Sequence, residues 1–262
     1  MENNPNAAPL FLFLGTGAAD WQKPEPSGEF RAFSSMLAFN KILFDCPAHV
    51  PLTLEKQKVS LNAIDYIFIS HSHRDHFDVE AIKCILASRP IETRALVYSC
   101  TAVVEILQNA GIEACGVEPF LVFNTGEFNV VPLTANHSVT GIKDEIPLHY
   151  LVSLKTYSWL YALDGAWLPY ASWEVLRGCK LDALIIDATI GDGHEGDYRI
   201  FEHNSLPMIR IMVETMQKTD VLKPNAPVIL THLARTLHPD QKTLEQSLEL
   251  PFIAAYDGML WV

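Results

Sequence analysis

Residues 66–78 read "YIFISHSHRDHFD". The opening residues are β-branched and aromatic, which predicts a short buried strand. His71, His73, Asp75 and His76 then fall within six positions. In an extended chain residues i and i+2 project to one side, so His71 and His73 face together. Asp75 and His76 turn elsewhere as the next helix begins, with Asp78 suited to cap it. Neutral imidazole and carboxylate oxygen are the ordinary ligands of zinc and similar divalent ions. Two such pairs on one strand-to-helix loop could serve two ions. The competing reading, a solvated polar turn, suits one histidine far better than this spacing.

Two pairs do not complete two sites, and three later positions repeat the same local pattern of a ligand-type residue at the end of a strand. His137 ends "VVPLTANH", Asp164 ends "SWLYALD" just before Gly165, and His232 ends "PVILTH". Each alone is an ordinary loop residue. Together with the cluster they read as the missing ligands.

The rest of the composition narrows the class. In 262 residues, 49% are hydrophobic and 19% charged, enough material for a substantial core. No apolar run reaches membrane-helix length, and the start "MENNPNAAPLFLFLG" lacks the basic and apolar regions of a secretory leader, so a cytoplasmic protein is expected. Net charge is −12, from 31 acidic against 19 basic residues, with no Lys/Arg cluster. A protein that holds long nucleic acid needs a basic track against the phosphates. A small substrate is expected instead, with no nucleic-acid or membrane partner; a homodimer is compatible with the sequence. Cys46, Cys84, Cys100, Cys115 and Cys179 are odd in number and lack a C-x-x-C pair, which argues against disulfides and cysteine zinc sites. They read as small buried apolar residues.

Strand-like segments recur at 10–14, 35–44, 64–69, 94–98, 128–134, 148–155, 158–163, 182–188, 227–231 and 252–256. Helix-like segments fall near 49–57, 78–88, 101–110, 170–178, 203–219 and 240–249. Within the fifth, Ile209, Met212, Val213 and Met216 can share one face. Hairpins are expected around Asn40-Lys41 and Thr156-Tyr157. With no repeat or linker, this predicts a single domain, residues 1–262, of sheets covered on their outer faces by helices.

The order H-x-H-x-D-H, a lone His, an Asp and a final His resembles the metallo-β-lactamase superfamily. The turn "FLGTGAAD" and Asp45 in "ILFDCPAH" match as well, so the resemblance runs from about residue 10 to 256. It implies an α/β (α+β) chain folded as a four-layer αβ/βα sandwich. One metal would be held by His71, His73 and His137, the other by Asp75, His76 and His232, with Asp164 bridging; Asp75 would also belong to the catalytic groups. Two ions roughly 3.5–4 Å apart can share a hydroxide that attacks phosphorus. Zinc is the metal expected, with manganese or iron as alternatives. Asp45 and Asp187 would sit behind the metal-binding imidazoles as hydrogen-bond acceptors.

Within the superfamily, the aspartate in "YALDG" resembles phosphodiesterase branches, whereas lactam-cleaving zinc enzymes usually carry a cysteine there. Residues 184–209, "LIIDATIGDGHEGDYRIFEHNSLPMI", resemble a stretch of ribonuclease Z and of PhnP-like phosphodiesterases. That likeness makes His203 the candidate to protonate a leaving group or hold the phosphate, aided by a helix N-terminus. The competing reading is a helix-start residue without chemistry. Ser138, beside His137, is a further substrate-binding candidate, and His194 is as well explained by solvent exposure. The long arm of ribonuclease Z and the cysteine-rich zinc site of PhnP-like enzymes have no counterpart here. In place of the latter, residues 18–34 read as a surface loop, or as a mouth-lining segment offering Trp21, Phe30 and Arg31. His49 and His149 read as packing or hydrogen-bonding residues, and Ser72 and Arg74 as spacers free to face a phosphate. The implied function is a dinuclear metal-dependent phosphodiesterase acting on small or cyclic diesters. Carboxylic ester or lactone hydrolysis, or metal-dependent oxidoreductase and cofactor-biosynthesis chemistry, are the alternatives.

Overall fold

The apolar run ahead of the histidines forms β4 (Tyr66–Phe68), third from one edge of a seven-stranded sheet. This computed structural model describes residues 10–25 and 28–262; residues 1–9, which include most of the stretch read above for a leader, lie outside the described residues. β4 runs parallel between β3 (Ile42–Phe44) and β5 (Leu96–Ser99). Parallel central strands are covered on both faces, which is why they are continuously apolar. The sheet is completed by β1 (Phe11–Gly15), β2 (Ser35–Ala38), the short β6 (Cys115–Gly116) and β14 (Leu260–Trp261), in the order β14-β1-β2-β3-β4-β5-β6.

A second sheet repeats the plan. It comprises β7 (Phe123–Thr125), β8 (Phe128–Thr134), β9 (Leu148–Leu154), β10 (Tyr157–Ala162), β11 (Ala183–Asp187), β12 (Val228–Thr231) and β13 (Phe252–Ala254), in consecutive order. β7 through β10 form an antiparallel meander, and β10 through β13 are parallel. Side-chain alternation divides the burial. From β10, Trp159 and Tyr161 face the first sheet, while Leu160 and Ala162 join the opposite apolar layer. Stacked aromatic pairs lock the sheets together, Phe44 on Tyr161 at 4.6 Å and Phe68 on Tyr150 at 5.2 Å between ring centroids.

Helices cover both outer faces. α1 (Val50–Lys56), α2 (Val79–Leu86) and α3 (Thr101–Asn109) bury Leu54, Ile82, Ile85 and Val103 in the first layer. Asp78 caps α2, accepting from the Ala81 N–H at 2.8 Å. α4 (Tyr170–Leu176), α5 (Leu206–Lys218) and α6 (Gln241–Ser247) cover the second sheet, and the expected face of α5, Ile209, Met212, Val213 and Met216, is fully buried. The result is the expected helix–sheet–sheet–helix sandwich.

The structure departs from expectation at short elements. β6, β7 and β14 are two or three residues long, too short for a periodic pattern. The first hairpin turns at Phe39-Asn40, one residue early, with both in the left-handed region at φ 52° and 54° as a type I′ turn requires. Not every cysteine is buried: Cys46 and Cys100 are, whereas Cys84 and Cys115 are exposed. Among the described residues no helix is long and apolar enough to cross a membrane.

Candidate metal centre

The histidine-rich loop leaves the end of β4 and is tied down before any ion is considered. Asp45, at the end of β3, accepts from the Ser70 N–H at 2.7 Å, and Cys46 N–H donates to His76 O at 2.8 Å. The His76 and Phe77 N–H groups both donate to His73 O, which turns the chain so that Asp75 and His76 leave the direction of His71 and His73. Ser72, rather than facing a ligand, gives both its N–H and its hydroxyl to Glu145 at 2.7 Å each.

The second sheet brings the other residues to the same place: His137 follows β8, Asp164 follows β10 and His232 follows β12. Asp45, Asp164 and His232 all adopt positive φ, at 57°, 49° and 59°. Such backbone is uncommon for residues other than glycine and concentrates at functional sites.

Three groups share Asp164: one, Asp164, Asp187, His203 and His232, comes wholly from the second sheet and its loops, and two combine that sheet with the histidine-rich loop. Of these two, His71, His73, His137 and Asp164 form one, and Asp75, His76, Asp164 and His232 the other, with all ligand atoms in each group within 4.8 Å of one another. In the first, His73 Nδ1 lies 3.0 Å from His71 Nε2 and 3.1 Å from His137 Nε2, and Asp164 Oδ2 is 3.5 Å from both Nε2 atoms. In the second, Asp164 Oδ1 is 2.9 Å from His232 Nε2 and 3.2 Å from His76 Nε2, with Asp75 Oδ2 at 3.4 and 3.6 Å from the same nitrogens.

The outward ring nitrogens show how these rings are held. His71 Nδ1 meets Ser70 Oγ at 2.9 Å, His76 Nδ1 donates to Asp45 Oδ2 at 2.8 Å, and His232 Nδ1 meets Thr189 Oγ1 at 2.8 Å. Each ring therefore spends Nδ1 on the protein and aims Nε2 at the centre. This is how metal-binding imidazoles are oriented. Asp164 Oδ1 is buried without a hydrogen bond of good geometry. Converging lone pairs and an orphaned carboxylate oxygen are costly without a partner, and a divalent cation satisfies both. The residues present fit such an ion.

The electrostatics agree. Burial pushes His73 down to about 4 and His137 down to about 3, so both are neutral and able to ligate. At His76 and His232 burial acts the same way, but Asp164 and Asp75 outweigh it; both are raised, His232 to about 10. These protons occupy the place a cation would take. Burial would raise Asp164 and Asp75, yet the surrounding imidazoles hold both below the usual carboxylate range.

Beside the centre, Asp187 Oδ2 accepts from His203 Nδ1 at 2.7 Å. Burial lowers His203, but the charge and hydrogen bond of Asp187 outweigh it, and the imidazole sits above its ordinary value. His203 lies just before a helix, as expected, but two residues short of the Ser205 cap, so it is not held at the helix N-terminus. Its N–H donates to Arg199 O at the end of a 3₁₀ turn (Tyr198–Phe201), and α5 starts only after its Ser205 cap.

The centre opens into a cleft of about 600 Å³ lined by His73, His137, His203 and His232, with Arg74, Tyr198, Arg199 and Phe201 at the mouth. Tyr198 and Phe201 are 79% and 78% exposed. Side chains at i and i+3 eclipse in a 3₁₀ turn, so the two rings share a face, while Ile200 packs inward near Ala18 and Leu237. Arg199 fixes the turn by bonding Asp197, Asp20 and Thr236.

Other candidates fall elsewhere. Trp21, Phe30 and Arg31 do not line the cleft. Trp21 is buried and donates to Leu233 O at 2.7 Å; Arg31 is buried, bonding Thr16 Oγ1 and Ala255 O at 2.9 Å each. They brace the fold because the partners that bury them come from the far end of the chain. Ser138 is exposed and does not line the cleft, and His194 is exposed. His49 meets Thr53 Oγ1 and Phe33 O, while His149 is buried against Gly165. Sequence reasoning missed Thr189 and Glu145, which carry no local mark of their roles.

Comparison with solved structures now bears on this geometry. The short form of human tRNase Z superposes with a TM-score of 0.70 at 19% identity, over 96% of this chain and 98% of its own. A diphosphatase from the PhnP family gives 0.68 at 20% identity over 96% of each chain. The metallo-β-lactamase fold protein YhfI from Bacillus subtilis gives 0.68 at 16% identity, over 96% and 97%. The chain has the metallo-β-lactamase fold. The family profile described as "Anti-Pycsar protein Apyc1" matches residues 10–85, which run from β1 into α2 and include all of "HSHRDH". No curated protein sequence matches the chain. In this metallo-β-lactamase frame, the two ligand groups lie where loops from both sheets meet.

Proposed function

We propose that the protein is a dinuclear metal-dependent hydrolase of small or cyclic phosphodiesters. His71, His73 and His137 would hold one ion, Asp75, His76 and His232 the other, and Asp164 both. The imidazole-rich set suits zinc best, with manganese or iron as alternatives. Bound ions of this kind lower the pKa of water and neutralise phosphoryl charge.

The observation that carries the phosphodiester reading is the His203–Asp187 pair beside the ligand groups. Phosphodiester cleavage expels an alkoxide, which needs a proton near neutral pH. His203 Nδ1 is committed to Asp187, which leaves Nε2 to deliver that proton in the cleft. The exposed Arg74 at the mouth supplies a cation for a phosphoryl oxygen, and the Tyr198–Phe201 face supplies a surface for a flat organic group. The PhnP-family diphosphatase and tRNase Z named above support this choice among reactions the fold can host.

The test is metal content together with turnover of bis(p-nitrophenyl) phosphate, 2′,3′-cyclic nucleotides and a lactone panel. Lactone turnover without phosphodiester turnover overturns the reading. His203→Ala is expected to slow diesters with alkoxide leaving groups by about 10²–10⁴-fold, and nitrophenolate esters much less. Equal losses on both remove the acid role.

A further inference from the structure

One buried hydroxyl touches both halves of the proposed machinery. Thr189 follows β11, is 1% exposed, and lies between His232 and His203. Its Oγ1 is 2.6 Å from Asp187 Oδ1, 2.8 Å from His232 Nδ1, 3.2 Å from His203 Nδ1 and 3.1 Å from His232 O.

A threonine hydroxyl has one proton to give and two lone pairs to fill, so these contacts cannot all be hydrogen bonds at once. Asp187 decides the direction. Its carboxylate also takes the Thr189 N–H at 2.7 Å, the His203 Nδ1–H at 2.7 Å and the Gly165 N–H at 3.2 Å, an environment that favours the ionised, acceptor-only form. The hydroxyl proton therefore goes to Asp187 Oδ1, the shortest of the four contacts. With its proton spent there, Oγ1 accepts from His232 Nδ1–H. That commits Nδ1 of His232 to the protein, so Nε2, which faces Asp75 and Asp164, is the nitrogen whose lone pair a bound ion would take in place of a proton. Asp187 Oδ2, the other oxygen of the same carboxylate, orients His203.

We propose that Thr189 is a positioning residue that couples the metal-ligand tautomer of His232 to the orientation of His203 through a single chain of hydrogen bonds. The order is His232 Nδ1–H to Thr189 Oγ1, Thr189 Oγ1–H to Asp187 Oδ1, and His203 Nδ1–H to Asp187 Oδ2. The metal arm stands on the ligand geometry alone, whereas the His203 arm rests on the proposed function. Valine is the informative replacement, since it keeps the branched shape and removes the hydroxyl; serine keeps the hydroxyl and removes a methyl group.

The experiment compares Thr189→Val and Thr189→Ser with the unaltered protein by competition for zinc against a chromophoric chelator. It then measures turnover at saturating metal on an alkoxide-leaving diester and on bis(p-nitrophenyl) phosphate. Thr189→Val is expected to weaken zinc binding by about 10–100-fold, the usual cost of losing a hydrogen-bond partner behind a metal-binding histidine. It should also slow the alkoxide-leaving diester more than the nitrophenyl one, while Thr189→Ser stays within about twofold on every readout. Damage from Ser that matches or exceeds the damage from Val means that the packing of the side chain, not its hydroxyl, sets these readouts and overturns the proposal. Weakened zinc binding with an unchanged leaving-group ratio confines Thr189 to the metal and overturns the coupling. If the unaltered protein turns over no phosphodiester, the proposed function falls, and the chelator competition still decides the metal arm.

Discussion

Gly165 follows the shared ligand Asp164, and its smallness is set by one neighbour. A Cβ built there would lie 2.8 Å from Nε2 and 2.9 Å from Cε1 of His149, with the next atom, Asn136 N, at an ordinary 3.5 Å. Gly165 does not have a positive φ, so its backbone accepts alanine and the only obstacle is that ring. His149 is 1% exposed on β9. Burial pushes it down to about 4, and backbone groups of Leu163 and Asp164 lie beside it without forming a hydrogen bond of normal geometry. It is wedged rather than bonded. Overpacking of this kind costs about 1–3 kcal/mol, while replacing glycine by alanine where the backbone allows it returns about 0.4–1 kcal/mol through the unfolded chain. Gly165→Ala should therefore destabilise the metal-free protein by about 1.3 kcal/mol from the midpoints of those two effects, and by no more than about 2.6 kcal/mol. In a His149→Ala background the obstacle is gone and only the gain remains. The same substitution should then stabilise by about 0.4–1 kcal/mol. Urea unfolding of the four proteins in the double-mutant cycle, with EDTA present and slopes compared, measures both values. Equal destabilisation by Gly165→Ala in the two backgrounds would refute the steric argument.

Two further expectations concern the pH response and the rim. Burial drives His238 down to about 4 while Nε2 donates to Ala188 O at 2.7 Å. The unfolded chain, with an ordinary value of about 6.5, binds more protons in the window between. Stability of the metal-free protein must then fall as pH drops from 6.5 towards 4. His73, His137 and His149 act in the same direction, so His238→Gln should flatten part of the fall between pH 7 and 4.5; an unchanged fall counts against it. At the mouth, removing both Tyr198 and Phe201 should raise KM for bis(p-nitrophenyl) phosphate by about 5–150-fold, from aromatic contacts of about 0.5–1.5 kcal/mol each. An unchanged KM would mean the exposed rings do not meet the substrate.

Much of the frame could be read from the sequence because its marks are local. The six residues of "HSHRDH" carry their spacing with them, and Asp164 and His232 each end an apolar run long enough to be recognised as a strand. Roles set by distant partners could not be read this way. Arg31 looks like a surface charge until Thr16, Ala255 and Gln241 close over it, and Thr189 looks like any strand-end threonine until His232, 43 residues later, folds onto it. Glu145 meets Ser72 across 73 residues. His203 lies beside the ligand groups and just ahead of a helix, but that helix does not hold it. Its place is fixed by Asp187 and Arg199 rather than by the helix that follows.

Each of the two groups that include the histidine-rich loop draws half of its residues from that loop after β4 and half from the second sheet: His71 and His73 with His137 and Asp164, and Asp75 and His76 with Asp164 and His232. Cations seated there would rivet the two leaves of the sandwich across their seam. Their binding energy would be drawn on by the whole fold, so metal loss should loosen the seam between the leaves before either leaf melts. Conversely, any strain that slides one leaf over the other would be felt first at the ions, which makes the alignment of two separately built sheets a determinant of metal affinity.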